Sequence, residues 1–188
     1  MMLFRLLRVV LAGLFRPRTG FLDAGAINLR VWPNDLDANL HLNNSRYLLA
    51  MDLGRWDLVV RTGLWRELWR RRWFPVVASA TLRFRRSLDP WQRYILVTRV
   101  VAWDEKWCYL EQRFERSGKL HAVGRVKALF RGREGNVPTA ALLAAAGRGD
   151  APLRQVSEAV RLWQAAEAAE SRAVDARRPG TDAARAPE

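Results

Sequence analysis

The chain has 188 residues and a mass of 21.6 kDa, enough to bury a proper core as one domain with extensions. Its single cysteine, Cys108, excludes an intramolecular disulfide and supplies no zinc ligand set. The net charge of +13 is carried by arginine except at Lys106, Lys119 and Lys127 and asks for an anionic partner. Nucleic acid ranks last among such partners, because no RRM, KH, zinc-finger or helix-turn-helix signature accompanies the charge and the arginines are spread along the chain.

Residues 1–18, MMLFRLLRVVLAGLFRPR, place Leu3, Leu6, Leu7, Val10, Leu11 and Leu14 at helical spacing, with Arg5 and Arg8 on another side. The spacing predicts an amphipathic helix. Its arginines interrupt the roughly 20 apolar residues that a spanning helix needs. No small-residue cleavage site closes its apolar core, so a removed signal peptide is not expected. Two readings stand. The helix lies on an anionic membrane surface, with Arg5, Arg8, Arg16 and Arg18 near headgroups, or it docks on its own domain or on a partner copy. Residues 17–20 read as a linker.

Residues 24–32 alternate around Ile27, Leu29 and Val31, which predicts a short first strand. It delivers the chain into WPNDLDANLHLNNSRY, residues 32–47, where two acids, a histidine and four asparagines crowd together. Such a loop suits acyl chemistry: a carboxylate activates water or attacks a carbonyl, and N–H groups at the following helix start hold an oxyanion. The same residues also make Asx-turns and helix caps. Composition leaves both readings open.

The run Asp35, Asp37, Ala38, His41, Asn43, Asn44, Tyr47, with Gly54 and Arg55 beyond it, resembles the D-x-D-x-x-x-H-x-N-N-x-x-Y signature of the hotdog-fold acyl-CoA thioesterases. Within that superfamily it is most similar to the hydroxybenzoyl-CoA thioesterase-like group and its thioesterase superfamily member six branch. The resemblance, which spans roughly residues 24–131, implies hydrolysis of a fatty or aromatic acyl-CoA. Asp37 matches the family's catalytic carboxylate, as nucleophile or as general base. Asp35 would shape the loop and titrate with Asp37, while His41, Asn43, Asn44 and Tyr47 would orient loop and substrate. It also implies a homodimer or higher homo-oligomer, coenzyme A as part of the substrate, and no separate cofactor. Leu40 departs from the family pattern, which has glycine before the histidine. Its bulk and restricted φ imply a reshaped or closed pocket mouth. The alternative is a non-catalytic acyl or lipid binder at a membrane surface. Either reading places the protein in the cytoplasm, peripheral to a membrane if the first helix binds one.

A helix follows from Asn43–Ser45 to about residue 61, apolar almost all round and therefore buried on several sides, with Gly63 as its stop. Residues 64–74, LWRELWRRRWF, set Trp65, Trp69 and Trp73 at helical spacing among arginines. That pattern fits base stacking, a bilayer interface, the phosphates of coenzyme A, or a short helix over the sheet edge with a solvated face. From Pro75 the period becomes two, predicting a strand to residue 85, then strands over 93–103, 107–116 and 121–131. Thr81, Ser79 and the basic residues around Arg83 lie on the strand that borders the acyl pocket in the resembled family, on either of its faces. Cys108 reads as an inert buried thiol and His121 as structural.

The order of one strand, a helix and four strands gives an α+β hotdog domain: a five-stranded antiparallel sheet wrapped around a long central helix, with N- and C-terminal helical extensions. The expected boundaries are a helix and linker over 1–20, the hotdog domain over 21–135, a helical extension over 136–172 with a helix over 153–169, and a disordered tail over 173–188.

Overall fold

The structure is a computed structural model and describes residues 2–149 and 156–176. Helix α1 (Met2–Phe15) leads to strand β1 (Gly25–Arg30), a 3-10 turn at Pro33–Asp35, the long helix α2 (Asn44–Arg61) and the short α3 (Leu64–Arg71). Strands β2 (Phe74–Phe84), β3 (Arg93–Trp103), β4 (Cys108–Arg116), β5 (Lys119–Gly132) and β6 (Gly135–Val137) follow, then α4 (Thr139–Ala145). The strands form one antiparallel sheet in the order β1-β3-β4-β5-β2. The sixth strand, absent from the five-strand expectation, extends the β5 hairpin by pairing Phe130 with Val137.

The sheet curls around α2, as the hotdog reading requires. Tyr47, Ala50, Met51, Leu53 and Leu58 of α2 are buried against Leu96 and Val100 of β3, Phe114 of β4 and Val126 of β5. Gly54 permits the closest approach. A Cβ there would stand 2.5 Å from the Thr98 hydroxyl and 2.9 Å from both Gln112 Nε2 and Leu96. A buried polar seam crosses this contact: Gln112 Nε2 donates to the Met51 carbonyl and to Thr98 Oγ1, both at 2.9 Å, and Arg55 donates to Gln112 Oε1 at 2.9 Å. Val137 and, on α4, Leu142 and Leu143 join the same core, so the chain beyond the expected boundary at residue 135 still packs on the sheet.

Strand β2 departs from the expected alternation. Its register slips between Val77 and Ser79, a bulge that resets which side chains face inward, and all its residues keep some exposure. It is also a sheet edge with an open row of backbone groups.

Helix α1 docks on α2 with Arg5 turned inward and Arg8 exposed. Arg5 and Arg16, the residue after the helix, meet buried carboxylates, while Leu3, Phe4, Leu7, Leu11, Leu14 and Phe15 are exposed. This corrects the expectation that Arg5 and Arg16 face headgroups: buried Asp35 and Asp57 each need a cation, and α1 together with the residue that follows it supplies both. Gly13 lets the helices approach, since a Cβ there would stand 3.0 Å from Val60.

Helix α5 (Glu158–Ala176) is a separate compact unit, opened by the Ser157 carbonyl, which accepts from the Val160 and Arg161 amides. It begins later than the expected residue 153 and continues past residue 173, because Glu158–Ala176 is rich in helix-forming Ala and Glu without Gly or Pro. The remainder of the expected tail, residues 177–188, lies outside the described residues.

Candidate active site

The loop between β1 and α2 is built around a tight reversal. The Asp37 amide donates to the His41 carbonyl at 2.9 Å, the Leu40 amide donates to the Asp37 carbonyl at 3.0 Å, and Leu36 and Leu42 form a β-bridge. The reversal requires φ of +58° at Leu40, so leucine holds here the left-handed backbone that glycine would take without strain. Its side chain points away: Leu40 is 66% exposed and does not line the neighbouring pocket. The mouth is therefore not closed by Leu40.

The half-buried Asp37 carboxylate is held from one side. Oδ1 accepts from the Asn39 amide at 2.9 Å and from the His41 amide at 3.3 Å, leaving Oδ2 without a hydrogen-bond partner among the described residues. Asp37 lines a pocket of about 390 Å³ together with His41, Asn44, Tyr47 and, from the far end of β2, Arg85 and Arg86. Asn43 caps α2 by accepting from the Ser45 amide at 2.9 Å and the Ser45 hydroxyl at 2.7 Å, so it serves the helix and its start. His41 is exposed, with Nε2 3.7 Å from Asp89. Burial, then Asp37 and Asp89, push the Tyr47 phenol up to about 12, so it stays a neutral hydroxyl.

Asp35 turns elsewhere. It is 1% exposed, and both its oxygens take 2.8 Å hydrogen bonds from Arg5, with Arg46 3.7 Å away and the Trp32 amide donating at 3.1 Å. The two acids of the loop thus serve different partners, not each other: a fully buried carboxylate must be paired, and the guanidinium of α1 pairs it. Thr81 and Arg83 sit on exposed positions of β2, opposite Arg125 and Val123 of β5, and line no part of the Asp37 pocket. Of the basic residues around Arg83, Arg85 and Arg86 are the ones that reach the pocket. Their amides donate to the His121 carbonyl at 2.8 and 3.0 Å, and buried His121 Nδ1 donates to the Ser87 carbonyl at 2.8 Å. His121 therefore shapes the far wall of the pocket.

Other chemistry-bearing groups are accounted for structurally. Burial and Asp104 push the Cys108 thiol up to about 12, which keeps it protonated and unreactive. Asp52 and Arg55 pair along α2, and Glu67 of α3 holds Arg70 and Arg71. No group of three or more metal-ligating side chains occurs among the described residues, and none of their helices is long and apolar enough to cross a membrane.

Comparison with known proteins adds relatives to this geometry. A family model described as the thioesterase-like superfamily matches residues 31–169. Protein THEM6 of Xenopus laevis is 43% identical over 84 residues, covering 45% of this chain and 41% of that protein. The chain spans about half the length of the curated relatives it matches. Among solved structures, the YbaW probable thioesterase of Escherichia coli superposes with a TM-score of 0.61 at 17% identity, covering 69% of this chain and 98% of the other. A gentisyl-coenzyme A thioesterase superposes with a TM-score of 0.57 at 21% identity, covering 65% of this chain and 99% of the other.

Proposed function

This chain belongs to the thioesterase-like superfamily and has its hotdog fold, and from that premise we propose that it hydrolyses the thioester of a fatty or aromatic acyl-CoA with Asp37 as the reacting carboxylate. The observation that carries the reading is the posture of Asp37. One oxygen is tethered by two backbone amides and the other has no hydrogen-bond partner among the described residues, beside a pocket whose opposite wall carries Arg85 and Arg86. As a nucleophile, Asp37 adds to the thioester carbonyl, the coenzyme A thiolate leaves, and water then cleaves the mixed anhydride. As a base it takes a proton from water, whose oxygen adds to the carbonyl while the thiolate leaves and is protonated. In either route the Asn44 amide, at a pocket-lining position while Asn43 occupies the Ser45 and Arg46 amides, is the donor at the start of α2 for the developing oxyanion, and Arg85 and Arg86 receive coenzyme A phosphates. His41 and Asn44 line the approach.

The test is release of free thiol from acyl-CoA substrates of increasing chain length and from aromatic acyl-CoA. Asp37→Ala should abolish release while leaving the thermal transition in place; turnover retained in that variant removes the assignment. Tyr47→Phe, which keeps the ring between Phe84 and Phe114, should lower turnover without unfolding the chain.

The open edge of β2 supports a homodimer. Two copies joined there by antiparallel pairing place Thr81 and Arg83 at the junction, where they reach the partner's pocket. Sedimentation velocity on the full chain reads this directly, and a monomer at micromolar concentration rejects it.

One observation favours a second reading, a non-catalytic acyl or lipid binder peripheral to a membrane. The outward stripe Leu3, Leu7, Leu11 and Leu14, flanked by Phe4 and Phe15, is exposed on a helix whose inner arginines are already engaged. Co-sedimentation with anionic vesicles should be lost in Leu7→Glu/Leu11→Glu. Vesicle binding without thiol release would favour this reading over hydrolysis.

A further inference from the structure

A second cavity, larger than the pocket at Asp37, lies elsewhere among the described residues. It measures about 790 Å³ and lies between α1, α2, α3 and the first residues of β2. Tyr47 of the Asp37 pocket and Val60 of this cavity are thirteen residues apart on α2, which puts the two about 20 Å apart. Four of the chain's nine tryptophans line it, Trp56, Trp65, Trp69 and Trp73, and Leu14 of α1 closes one side. The volume falls within the range of about 300–1,000 Å³ typical of small-molecule sites, which combine apolar walls with a few placed polar groups.

Here the placed charged group is Arg72, the one charged residue in the lining. Its neighbours are occupied: Glu67 holds Arg70 and Arg71, Arg71 also lies 4.9 Å from the Trp73 ring centre, and Arg66 lies 5.4 Å from that of Trp65. Arg72 has no ion pair among the described residues. It ends α3 in a left-handed conformation, φ +55°, that turns the chain between α3 and β2 beside the cavity. An unpaired guanidinium at the edge of a tryptophan-walled cavity matches a ligand that is apolar along its length and anionic at one end. We infer that this cavity binds one long-chain amphiphile, a fatty acid or another single-tailed lipid, with the tail among the tryptophans and the anionic head on Arg72.

The probe is 9,10-dibromostearate, added to the full chain below its aggregation concentration while tryptophan emission is followed, since bromine quenches only the rings it touches. Saturable quenching at one ligand per chain is expected. Each methylene added across a series of competing unbrominated fatty acids should tighten binding about fourfold until the cavity is full. Arg72→Asn removes the charge with a residue that accepts the left-handed backbone. It should weaken binding of the acid about tenfold and leave binding of the methyl ester unchanged. Leu14→Trp, which narrows the cavity from α1, should weaken binding of both.

Four results overturn the inference. The first is absence of saturable quenching, and the second is equal affinity of the acid for the unmodified chain and for Arg72→Asn. The third is quenching only by brominated phospholipid vesicles, which would make the tryptophans a bilayer-docking face. Binding that disappears as protein concentration rises through self-association would likewise assign the cavity to a second copy of the chain and overturn it.

Discussion

Arg5 of α1 grips Asp35 through two parallel hydrogen bonds of 2.8 Å, and Asp35 lies two residues before Asp37 in the same loop. The terminal helix and the candidate catalytic loop are therefore joined by a charge pair whose acid is 1% exposed. Removing one side of such a pair leaves an uncompensated buried charge, a larger effect than the net worth of the pair itself.

Arg5→Ala should accordingly lower unfolding free energy by about 2 kcal/mol, less than a wholly buried pair would lose because Arg46 remains 3.7 Å from Asp35. Urea denaturation measures the loss. Thiol release should fall in the same variant, since the turn that holds Asp37 loses its clamp. A variant as stable as the unmodified chain would mean that α1 does not hold the loop.

Leu40 predicts a gain. Its left-handed φ of +58° carries a steric penalty of about 1–2 kcal/mol, and its exposed side chain offers little packing in return. Glycine removes that penalty but is freer when unfolded, which returns about 0.5–1 kcal/mol. Leu40→Gly should raise the urea midpoint by the equivalent of about 0.5–1 kcal/mol with an unchanged slope. A lower midpoint would show that Leu40 packs against something the isolated chain lacks.

Short-range and long-range geometry differ in how much of this pocket the sequence shows. Asp37, His41, Asn44 and Tyr47 could be grouped in advance because one loop and the first turn of one helix carry them, so short-range geometry brings them together. The basic residues around Arg83 were legible only as a group: that Arg85 and Arg86 enter the pocket and Arg83 does not follows from bonds to His121, on another strand, that no spacing encodes. The period of α1 was legible but its orientation was not. Periodicity separates a leucine side from an arginine side, and only the buried Asp35 and Asp57 decide that Arg5 and Arg16 turn inward. The alternation of β2 failed at the Val77–Ser79 register slip, because a bulge adds a residue without any signal in apolar period.

Gly54 predicts a reversal of ordinary helix propensity. In the interior of an exposed helix, glycine to alanine gains about 1 kcal/mol. Here the added Cβ would meet the Thr98 hydroxyl at 2.5 Å and would press on Gln112 Nε2, the donor to Met51 and Thr98. Gly54→Ala should therefore destabilise by about 3 kcal/mol, combining overpacking with strain on a buried hydrogen-bond seam. The melting temperature reads the sign, and any rise would mean that β3 and β4 yield freely to the helix.

Asp57 gives the pH-dependent case. It is 1% exposed, and burial pushes its carboxyl above the ordinary carboxylate value, against the pull of Arg16 at 3.1 Å and Arg61 at 3.5 Å. A carboxyl raised on folding contributes stability that is fully present below its unfolded value and is lost as pH rises through its folded value. Arg16→Ala removes the nearer of the two opposing charges, so the carboxyl should move higher still and the stability lost with rising pH should be greater. Where the carboxyl is protonated, at the acid end, it needs Arg16 little, so the variant and the unmodified chain should differ by well under 1 kcal/mol. Where it is charged, at the upper end, it is left with Arg61 alone. The difference should then reach about 2 kcal/mol, reduced from that of a fully buried pair because Arg16 is partly exposed. Urea titrations of both proteins at intervals from pH 4 to pH 7 test the slope. A difference independent of pH would mean that Arg16 acts through its bond to the Ala26 carbonyl, 2.7 Å away, and not through Asp57.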